Sequence, residues 1–158
     1  MLQQCNFASF THSGAMELQQ LLNTHFDTYA AALTNYDTKG MAHHFAIPCT
    51  FLSAEKATAF NESSKLEGMF NQGIGFYKQF GITLAEAEIR NKRMITENIA
   101  HVKVRWNYFN SNKDLLYNCD YEYILKAVKN KKWEIEMAIS INEKQQMETW
   151  LNTNKKAN

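Results

Sequence analysis

His25 and Tyr29 are the residues of this chain best spaced for acid–base chemistry. They stand four positions apart, one helical turn, so both project from the same side of a helix. A histidine titrates near neutral pH and can exchange a proton with a neighbouring hydroxyl. A hydrogen-bonded core histidine explains the same spacing. A second group comprises Trp106, Tyr108, Tyr117, Tyr121 and Tyr123, at alternate positions of two strand-like runs. Alternate strand residues face one way, so these rings share a surface. Each tyrosine hydroxyl on it needs a hydrogen-bond partner. A cavity holding water or a ligand supplies partners, and so does an open rim in contact with solvent.

The remaining polar residues carry less. His43 and His44 are adjacent on a helical stretch and point about 100° apart, so they do not chelate one ion as an i,i+4 pair does. One is expected in solvent and the other packed. His101 falls on the polar side of a strand and is assigned no function. Cys5, Cys49 and Cys119 lack C-x-x-C spacing, which points away from a disulfide framework or zinc site and toward reduced thiols in the cytoplasm. Cys119 faces inward, where burial makes a thiol inert. No cofactor or metal motif is present.

These side chains need elements to position them. The 158 residues fit one domain, with 45% hydrophobic and 13% aromatic residues and a formal net charge of +1. That balance points to neither a nucleic-acid nor a membrane partner. No apolar run approaches the roughly 20 residues of a membrane span. Residues 1–15 lack the basic start of a signal peptide and are expected to be poorly ordered; 16–152 form the domain, and 153–158 a tail. Leu18, Leu22, His25, Tyr29 and Leu33 form the stripe of a long first helix over 16–33. Asp37 caps a short second helix ending near Phe45. Short extended pieces follow at 50–52 and 57–60. A third helix starts at Ser64 with Glu67 completing a capping box, and Gly81 ends it. From Ile82 onward alternation dominates, with a slip within 82–95 that marks a bend or bulge. Asn142 caps a last helix whose apolar side is Met147, Trp150 and Leu151.

Alternation also fixes a register. A turn at 111–114 sets Asn110 opposite Leu115, Arg105 opposite Asp120, Lys103 opposite Glu122 and Asn107 opposite Asn118. Trp106 then meets Cys119, Val104 meets Tyr121 and Tyr108 meets Tyr117 on the other face. A turn at 129–131 sets Lys126 opposite Glu134 and Leu125 opposite Ile135. In the last strand Trp133, Ile135, Met137, Ile139 and Ile141 are expected inside. A one-residue slip would destroy both patterns.

The stretch 29–37, Y-A-A-A-L-T-N-Y-D, followed by 40–51, resembles the Y-x-A-L-x-x-x-D helix end, short helix and first strand of the nuclear transport factor 2-like superfamily. Trp133, Glu134 and Ile135 resemble the W-x-I start of that fold's last strand. The group includes SnoaL-like cyclases, ketosteroid isomerases, scytalone dehydratase and non-enzymatic association domains. The resemblance implies an α+β cone (cystatin-like), a curved, mostly antiparallel sheet wrapped around the long helix with a cavity at one end. It places Tyr29 where ketosteroid isomerases keep an oxyanion-donating tyrosine. It places Ser53 where they keep the carboxylate base, with Glu55 two residues on. The second acid would come from an inward position among Tyr121, Tyr123 and Leu125, while Asp120 and Glu122 point outward. Ketosteroid chemistry therefore lacks two groups. Two functions stay open. One is a SnoaL-like pocket binding a moderately apolar, ring-containing small molecule between Tyr29, Trp106, Tyr108, Tyr117, Tyr121 and Tyr123, with a cyclase, isomerase or dehydratase step. The other is a non-catalytic association module. A homodimer through the sheet's outer face is expected, with Ile124, Ala138 and Phe109 supplying apolar area.

Overall fold

Leucines and aromatics at helical spacing carry the first helix, α1 (Phe7–Thr34), across the inner face of the sheet. The computed structural model describes residues 7–129 and 132–156. Leu22 and Phe26 are fully buried, and Tyr29 and Leu33 nearly so. The helix begins at Phe7, well before the expected start near residue 16. The apolar stripe identifies only the part of a helix that packs, and the first turns can extend beyond it. Residues 1–6 lie outside those described. Asp37 caps α2 (Thr38–Ala42) by accepting from the Gly40 N–H at 3.0 Å. A Cβ at residue 40 would fall 2.2 Å from the Asp37 carboxylate, so glycine permits that cap.

β1 (Phe45–Leu52) and β2 (Ala57–Phe60) form a hairpin. β1 starts five residues before the extended piece expected from sequence, and its ladder with β6 is interrupted between Phe45 and Thr50. Pro48 falls in that gap, where a residue without an N–H disrupts no ladder bond. α3 (Ser63–Phe80) is preceded by Glu62, which makes no side-chain cap. The expected capping box is absent. Ser63 donates instead to Glu67 at 3.5 Å. Gly81, at φ 71°, ends α3 in the left-handed region that glycine tolerates.

β3 (Leu84–Met94), β4 (Ile99–Phe109), β5 (Leu115–Val128) and β6 (Lys132–Ser140) complete one six-stranded sheet in the order β2-β1-β6-β5-β4-β3. Only β1 and β6 run parallel. The β4–β5 register is the expected one from Lys103–Glu122 through Tyr108–Tyr117. At the turn Phe109, not Asn110, faces Leu115, because the register shifts after Tyr108. The slip read within β3 is a shift between Ile89 and Asn91. Residues 130 and 131 of the β5–β6 turn lie outside those described, but Lys126–Glu134 and Leu125–Ile135 pair as expected.

β6 departs from its simple alternation. Ile124 pairs with Met137 and Leu125 with Ile135, leaving Glu136 unmatched. That extra residue reverses the phase of the strand beyond it. Ala138 therefore turns inward and is 1% exposed, while Met137 and Ile139 move to the outer face beside Ile124 and Glu122. Ala138 thus supplies no outer apolar area.

α4 (Glu143–Lys156) packs on β5 and extends into the expected tail. Asn142 does not cap it through its side chain. Its Oδ1 accepts the Asp120 N–H at 2.8 Å, and its carbonyl accepts from Gln146 at 2.9 Å. α1 is tied to the sheet near its middle by the Trp133 indole N–H on the Leu18 carbonyl, 3.0 Å, and at its C-terminal end by Thr34, whose hydroxyl accepts the Ala85 N–H at 3.1 Å.

The bulge generates a direct test. Ala138→Asp places a carboxylate against Tyr123 and should lower the unfolding free energy by about 3 kcal/mol or more. Ile139→Asp, on the outer face, should cost less than half as much when both are measured at a concentration too low for two copies to pair. Urea denaturation of both variants measures the difference, and an uninterrupted strand predicts the reverse order.

Candidate functional site

The inner face of the sheet and one side of α1 do not fill the space between them. A cavity of about 180 Å³ remains. α1 contributes Tyr29 and Leu33 to its wall, and α3 contributes Phe70 and Tyr77. β1 adds Phe51, while Trp106 and Tyr108 come from β4 and Tyr121 and Tyr123 from β5. The sheet register places these last four: Trp106 pairs with Cys119, so Tyr121 and Tyr123 follow it on the same inner face two and four residues out of register.

Most of the hydroxyls are matched within the wall. Trp106 Nε1–H donates to the Tyr123 hydroxyl at 2.8 Å, and Tyr77 donates to Tyr108 at 3.2 Å. Tyr121 donates to the Glu143 carboxylate. The Tyr29 ring stands edge-on to Trp106, with centroids 5.2 Å apart, and stacks against His44 at 5.3 Å. Tyr29 lines the cavity, and none of the hydrogen bonds between the wall residues uses its hydroxyl. Burial, then the nearby Glu143, pushes its pKa far above the usual tyrosine value, so it stays a proton donor.

Five of the six pocket residues read from the sequence line this cavity. Tyr117 does not. It stacks on Trp150 of α4 with centroids 5.3 Å apart, because α4 covers that end of the face. His25 also lies outside the lining. One turn displaces it about 6 Å along α1, where its ring meets His44 at 4.9 Å. His44 Nδ1 lies 2.7 Å from the Gly40 carbonyl and so donates to it, which leaves Nε2, 2.8 Å from the Thr28 hydroxyl, as an acceptor. His43 is exposed. His25 Nε2 is buried without a partner. Burial, followed by repulsion from His44 and Lys132, lowers its pKa from 6.5 to about 3.

Sequence reasoning missed Glu143. The resemblance implies an acid at the end of the first strand and another on β5. Ser53 instead closes the β1–β2 turn, accepting from the Glu55 and Lys56 N–H groups at 3.3 Å, and Glu55 pairs in solvent with Lys144 at 2.9 Å. Asp120 faces Arg105, with Nε–Oδ1 at 2.8 Å, and Glu122 takes His101 at 2.8 Å and Lys103 at 3.8 Å, all on the outer face. Glu143 reaches the cavity because Asn142 anchors the start of α4 to Asp120, one residue from Tyr121. Burial raises the Glu143 pKa, partly offset by the Tyr121 hydrogen bond. Glu143 and Tyr121 also line an outer groove with Ser53, Lys56 and Lys144, so the pair separates the two spaces. In sequence, Asn142-Glu143 is indistinguishable from an ordinary helix start. Among the described residues no group of three His, Cys, Asp or Glu could hold a metal ion. Nor is any described helix long and apolar enough to cross a membrane.

This arrangement defines an α+β pocket fold in which a helix backs an aromatic cavity on a curved sheet. The family model described as NTF2-like protein (DUF6841) matches residues 17–143, and the chain belongs to that family. Its fold is similar to an NTF2-like protein of Shewanella oneidensis MR-1, at 14% identity and TM-score 0.64 over 78% of this chain and 98% of that one. An NTF2-like protein with a cystatin-like fold from Novosphingobium aromaticivorans aligns at 6% identity and TM-score 0.67, covering 89% and 91%. A scytalone dehydratase assigned provisionally in the same organism aligns at 13% identity and TM-score 0.60, covering 81% and 85%. No curated protein sequence matches the chain.

The buried histidine predicts acid sensitivity. Its folded pKa is depressed, so the unfolded chain binds the extra proton below pH 6.5. Its contribution to stability is intact above about pH 6.5 and is lost as pH falls toward 3, by at most about 1.4 kcal/mol per pH unit. His25→Phe should remove that slope, and it should change neutral-pH stability by less than about 1 kcal/mol, since no hydrogen bond is lost. Thermal melts from pH 4 to 8 decide it: an unchanged slope places the acid sensitivity elsewhere.

Proposed function

We propose that this chain binds a small, moderately apolar, ring-bearing molecule in the Tyr29 cavity and moves a proton on it, the reaction type of isomerases, cyclases and dehydratases. The observation that carries the reading is a partly open aromatic space whose wall holds Tyr29, outside the hydroxyl pairings of its neighbours, and one carboxyl, Glu143. The volume of about 180 Å³ exceeds the roughly 150 Å³ of an apolar cavity that takes up benzene. Tyr29 donates to a ligand oxygen and stabilises negative charge that develops there. Glu143 accepts the proton. Burial brings its pKa upward, in the direction of a useful general base. It takes the part of the carboxylates that β1 and β5 do not provide.

Tyr29→Phe should weaken binding of monocyclic ketones or phenols by about fivefold to tenfold, the worth of one hydrogen bond. Because none of the hydrogen bonds between the wall residues uses the hydroxyl, stability should fall by less than about 0.5 kcal/mol. Glu143→Gln should abolish exchange of solvent deuterium into the bound ketone. Calorimetry, melts and deuterium NMR read the three effects. A loss of 1–3 kcal/mol in Tyr29→Phe with unchanged ligand response would make it a core residue and remove it from the site.

We further propose that two copies pair through the outer face of the sheet. The bulge at Glu136 brings Met137 and Ile139 beside Ile124 on that face, with Ile141 50% exposed at its end. This apolar strip interrupts the charged pairs that interface cores tend to exclude. Sedimentation at micromolar concentration should give a dimer, and a monomer there refutes the pairing.

A further inference from the structure

The wall of the Tyr29 cavity is uneven in charge. Among the described residues Glu143 is the one with a formal charge in this wall, and no Lys, Arg or His lines it. Lys144, the next residue, turns out to Glu55. The rest of the wall is dominated by aromatic rings, with Met41, Met69, Leu33 and Ile74 between them. Aromatic rings present negative faces to a ligand that sits over them. The Glu143 carboxylate is held by the Tyr121 hydroxyl and otherwise has a desolvated surrounding that disfavours its charge.

An anionic ligand meets repulsion from Glu143 and finds no cation to pair with. A neutral ligand leaves the carboxylate as it is. A cation answers both features at once, pairing with Glu143 and lying against ring faces, which bind quaternary and alkylated ammonium groups well. We propose that the molecule held in the Tyr29 cavity is a small organic cation, a single ring or compact branched skeleton bearing an ammonium or iminium nitrogen that sits against Glu143. The inference rests on the ligand-pocket reading above and assigns the ligand's charge.

The same charge serves a proton shift. Positive nitrogen beside a C–H bond makes that bond more acidic, and a cation beside Glu143 favours its ionised, basic form. On the cavity side the titratable groups facing Glu143 are Tyr29 and Tyr77 from the helices, Tyr108 from β4, and Cys119 with Tyr117, Tyr121 and Tyr123 from β5; on the outer side it shares a groove with Glu55, Lys56, Lys144 and Glu148. The cavity-side groups hold their protons at neutral pH and supply no competing positive charge, and in the groove Lys144 is taken by Glu55.

A matched pair of probes tests the inference. Phenyltrimethylammonium and tert-butylbenzene have the same shape and differ by one charge, and benzoate supplies the opposite charge. Calorimetry or ligand-observed NMR on the full chain should show the cation binding at least about tenfold tighter than the hydrocarbon, with benzoate not bound. Affinity for the cation should rise with pH as Glu143 loses its proton. Glu143→Gln should remove the cation's advantage over tert-butylbenzene. If the hydrocarbon binds wild-type protein as tightly as the cation, the cation inference fails while the pocket stands. The inference also fails if the preference survives in Glu143→Gln. If none of the three probes binds, the pocket reading itself falls. The comparison in wild-type protein needs no variant to fold.

Discussion

A phenolic hydroxyl withdrawn from water must find a partner, and on the inner face of this sheet that requirement arranges everything around it. Tyr123 accepts from Trp106, Tyr77 donates to Tyr108, and Tyr121 donates to Glu143. An unmatched hydroxyl in an apolar interior costs roughly 1–3 kcal/mol, so each pairing restricts which element can lie opposite. The Tyr121 bond holds the start of α4 over the cavity, and the indole of Trp106 orients the Tyr123 ring across β4 and β5. Tyr29 is outside this scheme: it lines the cavity, and none of these bonds uses its hydroxyl. Stability and readiness for a ligand thus come from one set of side chains, with most of the polar capacity used internally and a small part left open.

The parts of the molecule set by local periodicity were legible in the sequence. In β4 and β5 charged and apolar residues alternate cleanly, and only one register pairs Arg105 with Asp120 while matching Trp106 to Cys119. A shift of one residue would have buried the charges, so the pattern had a single solution. The aromatic wall followed from it. β6 was harder. Its residues read equally well as a continuous strand, and the unmatched Glu136 is chosen by what Tyr123 needs opposite it, a small side chain such as Ala138. That demand comes from the third dimension and leaves no mark along the chain.

Glu143 shows the same limit in sharper form. A carboxylate at the start of a helix is ordinarily favoured by the helix dipole and solvated. Here the two-residue link after β6 and the Asn142–Asp120 bond turn it inward. Nothing in residue type announces that turn. His25 is the converse: its place on the stripe was readable, but the neighbour that shapes its behaviour, His44, comes from another helix end and is 4.9 Å away only in the folded chain.

The order of strands has a consequence for how the protein comes into being. β6, the last strand in the chain, lies between β1 and β5, the only link between the N-terminal hairpin and the β3–β5 meander. During synthesis those two pieces leave the ribosome with one edge each unpaired. They cannot join until the final strand arrives to bridge them. Such long-range closure is slow compared with helix or hairpin formation. The nascent chain therefore waits with open strand edges and an uncovered aromatic face, the state in which chains of this kind aggregate most readily and chaperones have most to hold.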